Sequence, residues 1–139
     1  MSLLLRSIMM SFVTARGSSI ISRGIVGNKA CRFMSVITLS DQDATEKFRK
    51  MNSKSILYFT ATWCPPCKMI SPEYEKLSKT HSDVAFGKVD VDDNGDAAMD
   101  FEISAVPTFV FFHGDTVVNR FSGADTNALE KQIIALKDS

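Results

Sequence analysis

Two cysteines with two residues between them, Cys64 and Cys67, lie in the run Trp63-Cys64-Pro65-Pro66-Cys67. Such a pair serves as part of a metal site, as a structural bridge, or as a reversible dithiol–disulfide couple. Structural zinc takes four ligands, usually two such pairs, or one pair and two closely spaced histidines. His81 and His113 are 32 residues apart, and neither has a partner nearby in sequence. The third cysteine, Cys31, stands apart in a basic leader, and three cysteines are too few to staple a secreted scaffold of 139 residues. A redox pair is the better reading, with no metal.

The redox reading depends on the elements that carry the pair. Ile56-Leu57-Tyr58-Phe59-Thr60 is a compact apolar run, the mark of a strand buried on both faces. Pro65 and Pro66 follow, and proline is tolerated in the first turn of a helix but not deeper. A helix is therefore expected to start beside Cys64 and run through Met69, Ile70, Tyr74 and Leu77 to about His81, kinked at Pro72. Cys64 then sits where unpaired N–H groups and the helix dipole favour an anion, which lowers a thiol's pKa from about 8.5. Cys67, one turn further in, is expected to be less exposed and less acidic. An exposed Cys64 thiolate would attack a substrate disulfide, and Cys67 would resolve the mixed disulfide. Pro66 stiffens the backbone between them, and Trp63 offers a flat apolar surface beside the nucleophile.

The rest of the chain supplies a frame. Val36 to Leu39 reads as a short strand, and Ser40-Asp41 as a helix N-cap before Ala44, Phe48 and Met51 on one face. Val84 to Val91 reads as a strand and residues 95–102 as a short helix. Thr108–Phe112 and Thr116–Phe121 form a hairpin turning at His113-Gly114-Asp115. A last helix opens at Ala124-Asp125, with Leu129, Ile133, Ile134 and Leu136 on its apolar face. Crossovers imply parallel strands and the hairpin an antiparallel edge: an α/β fold with helices on both faces.

Composition is that of an ordinary globular domain, 45% apolar and 23% charged. The zero net charge points to neither nucleic acid nor acidic membranes, but it is unevenly distributed. Residues 1–40 hold five basic side chains (Arg6, Arg16, Arg23, Lys29, Arg32) and no acid, while the remainder holds all sixteen acids. Leu4, Leu5, Ile8, Met9, Phe12 and Val13 recur at helical spacing within that leader. The pattern is that of a cleavable organelle transit peptide over 1–34, mitochondrial rather than plastid, cut near Arg32-Phe33-Met34-Ser35. Cys31 is then lost, and residues 35–139 form the domain. No stretch reaches the roughly 20 apolar residues of a membrane span.

With these residues in place, the sequence resembles the thioredoxin family over about residues 36–138. Trp63, Cys64, Pro66, Cys67 and Lys68 match the signature Trp-Cys-Gly-Pro-Cys-Lys, with Pro65 in place of the glycine. Pro72 matches the family's helix-kinking proline, Val106-Pro107-Thr108 its cis-proline loop, and Gly123-Ala124 the small-residue patch beside it. With the leader, the likeness is greatest to the mitochondrial o-type thioredoxins of plants. The resemblance implies the thioredoxin fold, with a central mixed five-stranded sheet. It implies a protein-disulfide reductase whose substrates dock on Trp63, Pro66, Val106, Pro107 and Gly123. The redox group is the Cys64–Cys67 couple itself; no cofactor is bound, and NADPH is used only through a thioredoxin reductase. Oxidised client proteins such as peroxiredoxins are the implied partners, with no nucleic acid, no membrane for the mature chain, and a monomeric state. The implied location is the mitochondrial matrix, with plastid or cytosol as alternatives.

One departure bears on mechanism. The family carries a buried Asp six residues before the first cysteine, and Tyr58 stands there. Tyrosine, with a pKa of about 10, is a poor base near neutral pH. Lys88, which matches the lysine near that Asp, loses its partner. Cys67 is then expected to be activated by water, Cys64 or the substrate, and Tyr58→Asp to hasten resolution. The competing reading makes Tyr58 a packed core residue with its hydroxyl bonded.

Two further functional classes are open. Nucleoredoxin- or tryparedoxin-like proteins also favour this active-site run, but they tend to carry insertions where only 42 residues separate Cys64 from Pro107. A cluster-binding or adaptor protein on the same fold is the other, and two intact cysteines weigh against a pure adaptor. Phe109, Phe111 and Phe112 read as core, and His81 and His113 as solvated. Asp90, Asp92, Asp93 and Asp96 fail the calcium-loop pattern, since Phe101 stands where a glutamate is required.

Overall fold

In the structure, a computed structural model, residues 35–139 are described. The expected leader, its cleavage point and Cys31 lie outside the described residues. The sheet is built around β2 (Lys54–Thr60), whose six residues from Ser55 onward are all buried. Against one side of β2 lies β3 (Ala85–Asp90) and beyond it β1 (Ile37–Thr38), all three parallel. Against the other side β4 (Thr108–His113) runs antiparallel, followed by β5 (Thr116–Ser122) at the outer edge. The order is β1-β3-β2-β4-β5, a mixed five-stranded sheet.

Period-two alternation along β2 divides the core in two. Ile56 and Tyr58 face one way, into a cluster with Ile70, Tyr74 and Leu77 of α2 (Pro65–Thr80) and Leu129, Ile133 and Leu136 of α4 (Thr126–Asp138). Leu57 and Phe59 face the other way, against Phe48 of α1 (Gln42–Met51) and Ala97 of α3 (Gly95–Asp100). Helices therefore cover both faces, as the order of elements implied. Asp41 caps α1, accepting from the Ala44 N–H at 2.7 Å; Asn94 and Asp125 do the same for α3 and α4. Pro72 lies inside α2 as expected.

Met51 and Ile134, expected on apolar helix faces, lie outside the core, as does Met69 of α2. Ile70, Tyr74 and Leu77 define the buried stripe of α2, and Leu129, Ile133 and Leu136 that of α4. Met69 and Ile134 each sit one residue, or about 100°, off those stripes. Met51 is the last residue of α1, past the buried contacts of Thr45 and Phe48. His81, expected in solvent, is buried instead. It caps α2 with its N–H on the Leu77 carbonyl, and Lys137 of α4 brings its Nζ within 3.4 Å of His81 Nδ1. His113 is exposed, as expected. No helix among the described residues is long and apolar enough to cross a membrane.

Candidate active site

The end of β2 feeds directly into α2, and Cys64 is the N-cap of that helix. Pro65 and Pro66 occupy the first two helical positions and bring no N–H, so Cys67 supplies the first free amide of the turn. That amide donates to Cys64 Sγ at 3.3 Å. Sulfur thus takes the place that a Ser or Asp oxygen fills in ordinary caps. Cys64 and Cys67 are joined as a disulfide, with Cα atoms 5.3 Å apart. Cys64 is 3% exposed and Cys67 1%, so the expected exposed sulfur at Cys64 is not seen in this oxidised state. The reason is the loop opposite, whose Val106 carbonyl oxygen lies 3.7 Å from Cys64 Sγ.

The Val106–Pro107 peptide is cis, which turns the Val106 main chain toward the disulfide. Two bonds brace this loop. The Gly123 N–H donates to the Pro107 carbonyl at 3.0 Å. Thr108 Oγ1 donates to the Ala105 carbonyl at 2.7 Å, and Ser122 Oγ lies 3.0 Å from it. Gly123 has φ +117°, a left-handed conformation that suits glycine.

Trp63 is 66% exposed beside the disulfide, and its Nε1–H donates to Asp92 Oδ2 at 2.9 Å. With Val91, Ile103, Ala105 and Val106 it lines a groove of about 170 Å³. Pro66 is exposed at the start of α2. Of the residues expected to dock a substrate, Val106 faces Cys64, Gly123 is bonded to Pro107, and Trp63 and Pro66 flank the cysteines in sequence and are exposed. Asp92 lies 29 positions beyond Trp63 in the chain, so only folding reveals the bond.

Behind the disulfide, Tyr58 is wholly buried. Its ring stacks on Phe109 with centroids 4.8 Å apart, and Tyr74 lies 4.9 Å away. Its hydroxyl donates to the Cys67 carbonyl at 3.0 Å and lies 3.1 Å from Ser71 Oγ. Tyr58 is thus packed in the core with its hydroxyl bonded. Lys88, level with Tyr58 on the neighbouring strand, lines a pocket of about 130 Å³ with Lys68, Ser71, Thr60 and Asp90. Burial drives the Tyr74 phenol well above its usual pKa, and the neighbouring Tyr58 adds to this. Phe109, Phe111 and Phe112 are core, as expected. Among the described residues, no three of His, Cys, Asp and Glu are grouped to hold a metal ion.

A reversible disulfide at a helix N-terminus, faced by a cis-proline loop on a mixed sheet, defines a thiol–disulfide oxidoreductase. The Thioredoxin family model matches residues 35–135, and the chain belongs to the thioredoxin family. The TPR repeat-containing thioredoxin TDX of Arabidopsis thaliana is 45% identical over 101 residues, 72% of this chain. The match covers 27% of that longer protein. Thioredoxin-3, mitochondrial, of Saccharomyces cerevisiae is 39% identical over 109 residues, 76% of this chain and 86% of that one. A similar fold occurs in a structure described as the basis of the thiol resolving mechanism in yeast mitochondrial 1-Cys peroxiredoxin via glutathione/thioredoxin systems. That chain aligns with a TM-score of 0.70 and 36% identity, covering 75% of this chain and 98% of that one.

Proposed function

We propose that the protein is a general reductant of protein disulfides in which Cys64 attacks and Cys67 resolves. The observation that carries the assignment is the Cys67 N–H aimed at Cys64 Sγ from the first turn of α2. In the reduced state the same amide and the helix dipole favour a thiolate on Cys64. That thiolate attacks one sulfur of a client disulfide, forming a mixed disulfide and expelling one client thiolate. The Cys67 thiolate then attacks Cys64 Sγ, closing the Cys64–Cys67 bond and releasing the second client thiolate. Two electrons pass to the client, and a thioredoxin reductase drawing on NADPH restores the dithiol.

The client chain docks on Trp63 and Pro66 on one side and on the main chain of Val106, Pro107 and Gly123 on the other. Tyr58 and Lys88 modulate Cys67. The protein works as a monomer in the mitochondrial matrix, as an o-type thioredoxin. Residues 1–34 serve as a cleavable transit peptide ahead of a domain at 35–139. What supports this is the basic, acid-free leader together with the likeness to a mitochondrial yeast thioredoxin. Peroxiredoxins are proposed clients, in line with the solved structure described for that system.

Insulin disulfide reduction with NADPH and thioredoxin reductase tests the reading. Wild type is expected to turn over and Cys64→Ser to be silent. Failure of wild type, or full turnover by Cys64→Ser, overturns it.

A further inference from the structure

Three hydrogen-bonding atoms converge behind the disulfide. The Cys67 carbonyl oxygen receives the Tyr58 hydroxyl at 3.0 Å and the Ser71 hydroxyl at 2.8 Å, and the two hydroxyl oxygens are 3.1 Å apart. A carbonyl has two lone pairs, and a helix ordinarily uses one for the N–H four residues on. Two side-chain hydroxyls on one helical carbonyl are therefore more than helix formation requires. Tyr58 comes from β2, so its bond ties the first turn of α2 to the central strand, while Ser71 bonds back to the same carbonyl from within α2. On its other side, the Cys67 N–H is directed at Cys64 Sγ. The residue is held at both its amide and its carbonyl.

No carboxylate shares this work. Asp90, the acid that lines the adjoining pocket, accepts the Asp92 N–H at 2.9 Å, and Asp92 accepts the Trp63 indole. Among the described residues, no acid is hydrogen-bonded to Tyr58, Ser71 or Cys67.

We propose that Ser71 and Tyr58 are paired positioning residues for the resolving step, a two-hydroxyl clamp that keeps Cys67 aligned on Cys64 while the mixed disulfide exists. The proposal rests on Cys67 being the resolving thiol. In that step the Cys67 thiolate forms a bond to Cys64 Sγ as the bond from Cys64 Sγ to the client sulfur breaks, and the electron pair leaves on the client thiolate. Geometry dominates such a displacement, because a small misplacement of the attacking atom slows it severely. Either hydroxyl alone still serves the carbonyl, so the two losses should be more than additive.

The test is stopped-flow reaction of the reduced full chain with 5,5′-dithiobis(2-nitrobenzoate), with Cys31→Ser in every protein so that Cys64 and Cys67 carry the only thiols. The first thionitrobenzoate released reports attack by Cys64, and the second reports resolution by Cys67. Tyr58→Phe keeps the stacked ring and Ser71→Ala the helix, so both are expected to fold. Each single variant should resolve within about twofold of wild type, and the double variant at least about tenfold slower, beyond the about fourfold that independent losses would give. The first release should stay within about twofold in every variant. Ser71→Thr, which keeps a hydroxyl in the Tyr58→Phe background, should match the rate of Tyr58→Phe alone. The proposal is overturned by an unchanged double variant, by equal slowing of both releases, or by Ser71→Thr proving no faster than Ser71→Ala in that background. A Cys67→Ser protein that still gives the second release overturns instead the assignment of Cys67.

Discussion

The Gly123 amide donates to the Pro107 carbonyl across 3.0 Å, fastening the cis-proline loop to the end of β5. Gly123 reaches that position only with φ +117°, and a Cβ there would meet nothing within 4 Å. Gly123→Ala is therefore expected to act through backbone strain alone, costing about 1–2 kcal/mol in urea unfolding. Loosening the loop should raise KM for a protein disulfide about threefold with little change in kcat. Wild-type stability in the alanine variant would show that the strain is relieved without loss.

Trp63 is the protein's single tryptophan, so its bond to Asp92 can be watched directly. The indole is mostly exposed, and an exposed hydrogen bond contributes at most about 1 kcal/mol to stability. Its value lies in holding the ring still for docking. Asp92→Ala should leave the unfolding midpoint nearly unchanged, increase iodide quenching of Trp63 fluorescence, and lower kcat/KM on insulin about threefold. Asp92→Asn, which keeps an acceptor oxygen, should retain most of the activity. Equal losses in both variants would assign the effect to the charge rather than to the bond.

Tyr58→Asp, which sequence comparison suggests as a route to faster resolution, meets the packing first. Tyr58 is wholly buried between Phe109 and Tyr74. Aspartate leaves a cavity and buries a carboxylate, so a loss of at least about 3 kcal/mol is expected in guanidinium unfolding. Tyr58→Phe removes only the hydroxyl and should lose about 1 kcal/mol. An aspartate variant as stable as wild type would show that packing does not decide this position.

What the sequence made legible was local. The six-residue buried stretch of β2, the prolines that start α2 and the Gly114 turn of the hairpin are each written in neighbouring residues. The convergence of Val106, Pro107 and Gly123 on Cys64 came through family resemblance rather than periodicity. The rest depended on distant partners. His81 is buried because Lys137, 56 residues on, packs over it, and no local pattern foretells that. Met51, Met69 and Ile134 are apolar near buried stripes, so period alone admits them and only the packed sheet rejects them. Ser71 passes for an ordinary helical serine until Tyr58 is brought beside it.

Tyr74 makes the protein's stability sensitive to alkaline pH. Its phenol is buried and donates to the Gly87 carbonyl at 2.9 Å, and burial holds its pKa well above 10.0. Unfolding returns the phenol to water, where it ionises near about 10. Above that pH the unfolded state binds fewer protons than the native state, so stability falls as pH rises. The contribution is complete below about pH 10 and is lost progressively above it, at up to about 1.4 kcal/mol per pH unit. Tyr74→Phe should cost about 1 kcal/mol at pH 7 through the lost hydrogen bond. Between about pH 10 and 11 its stability should decline less steeply than that of wild type, so that the two curves draw together. Urea unfolding across that range measures both slopes, and parallel curves would place the alkaline sensitivity on a group other than Tyr74.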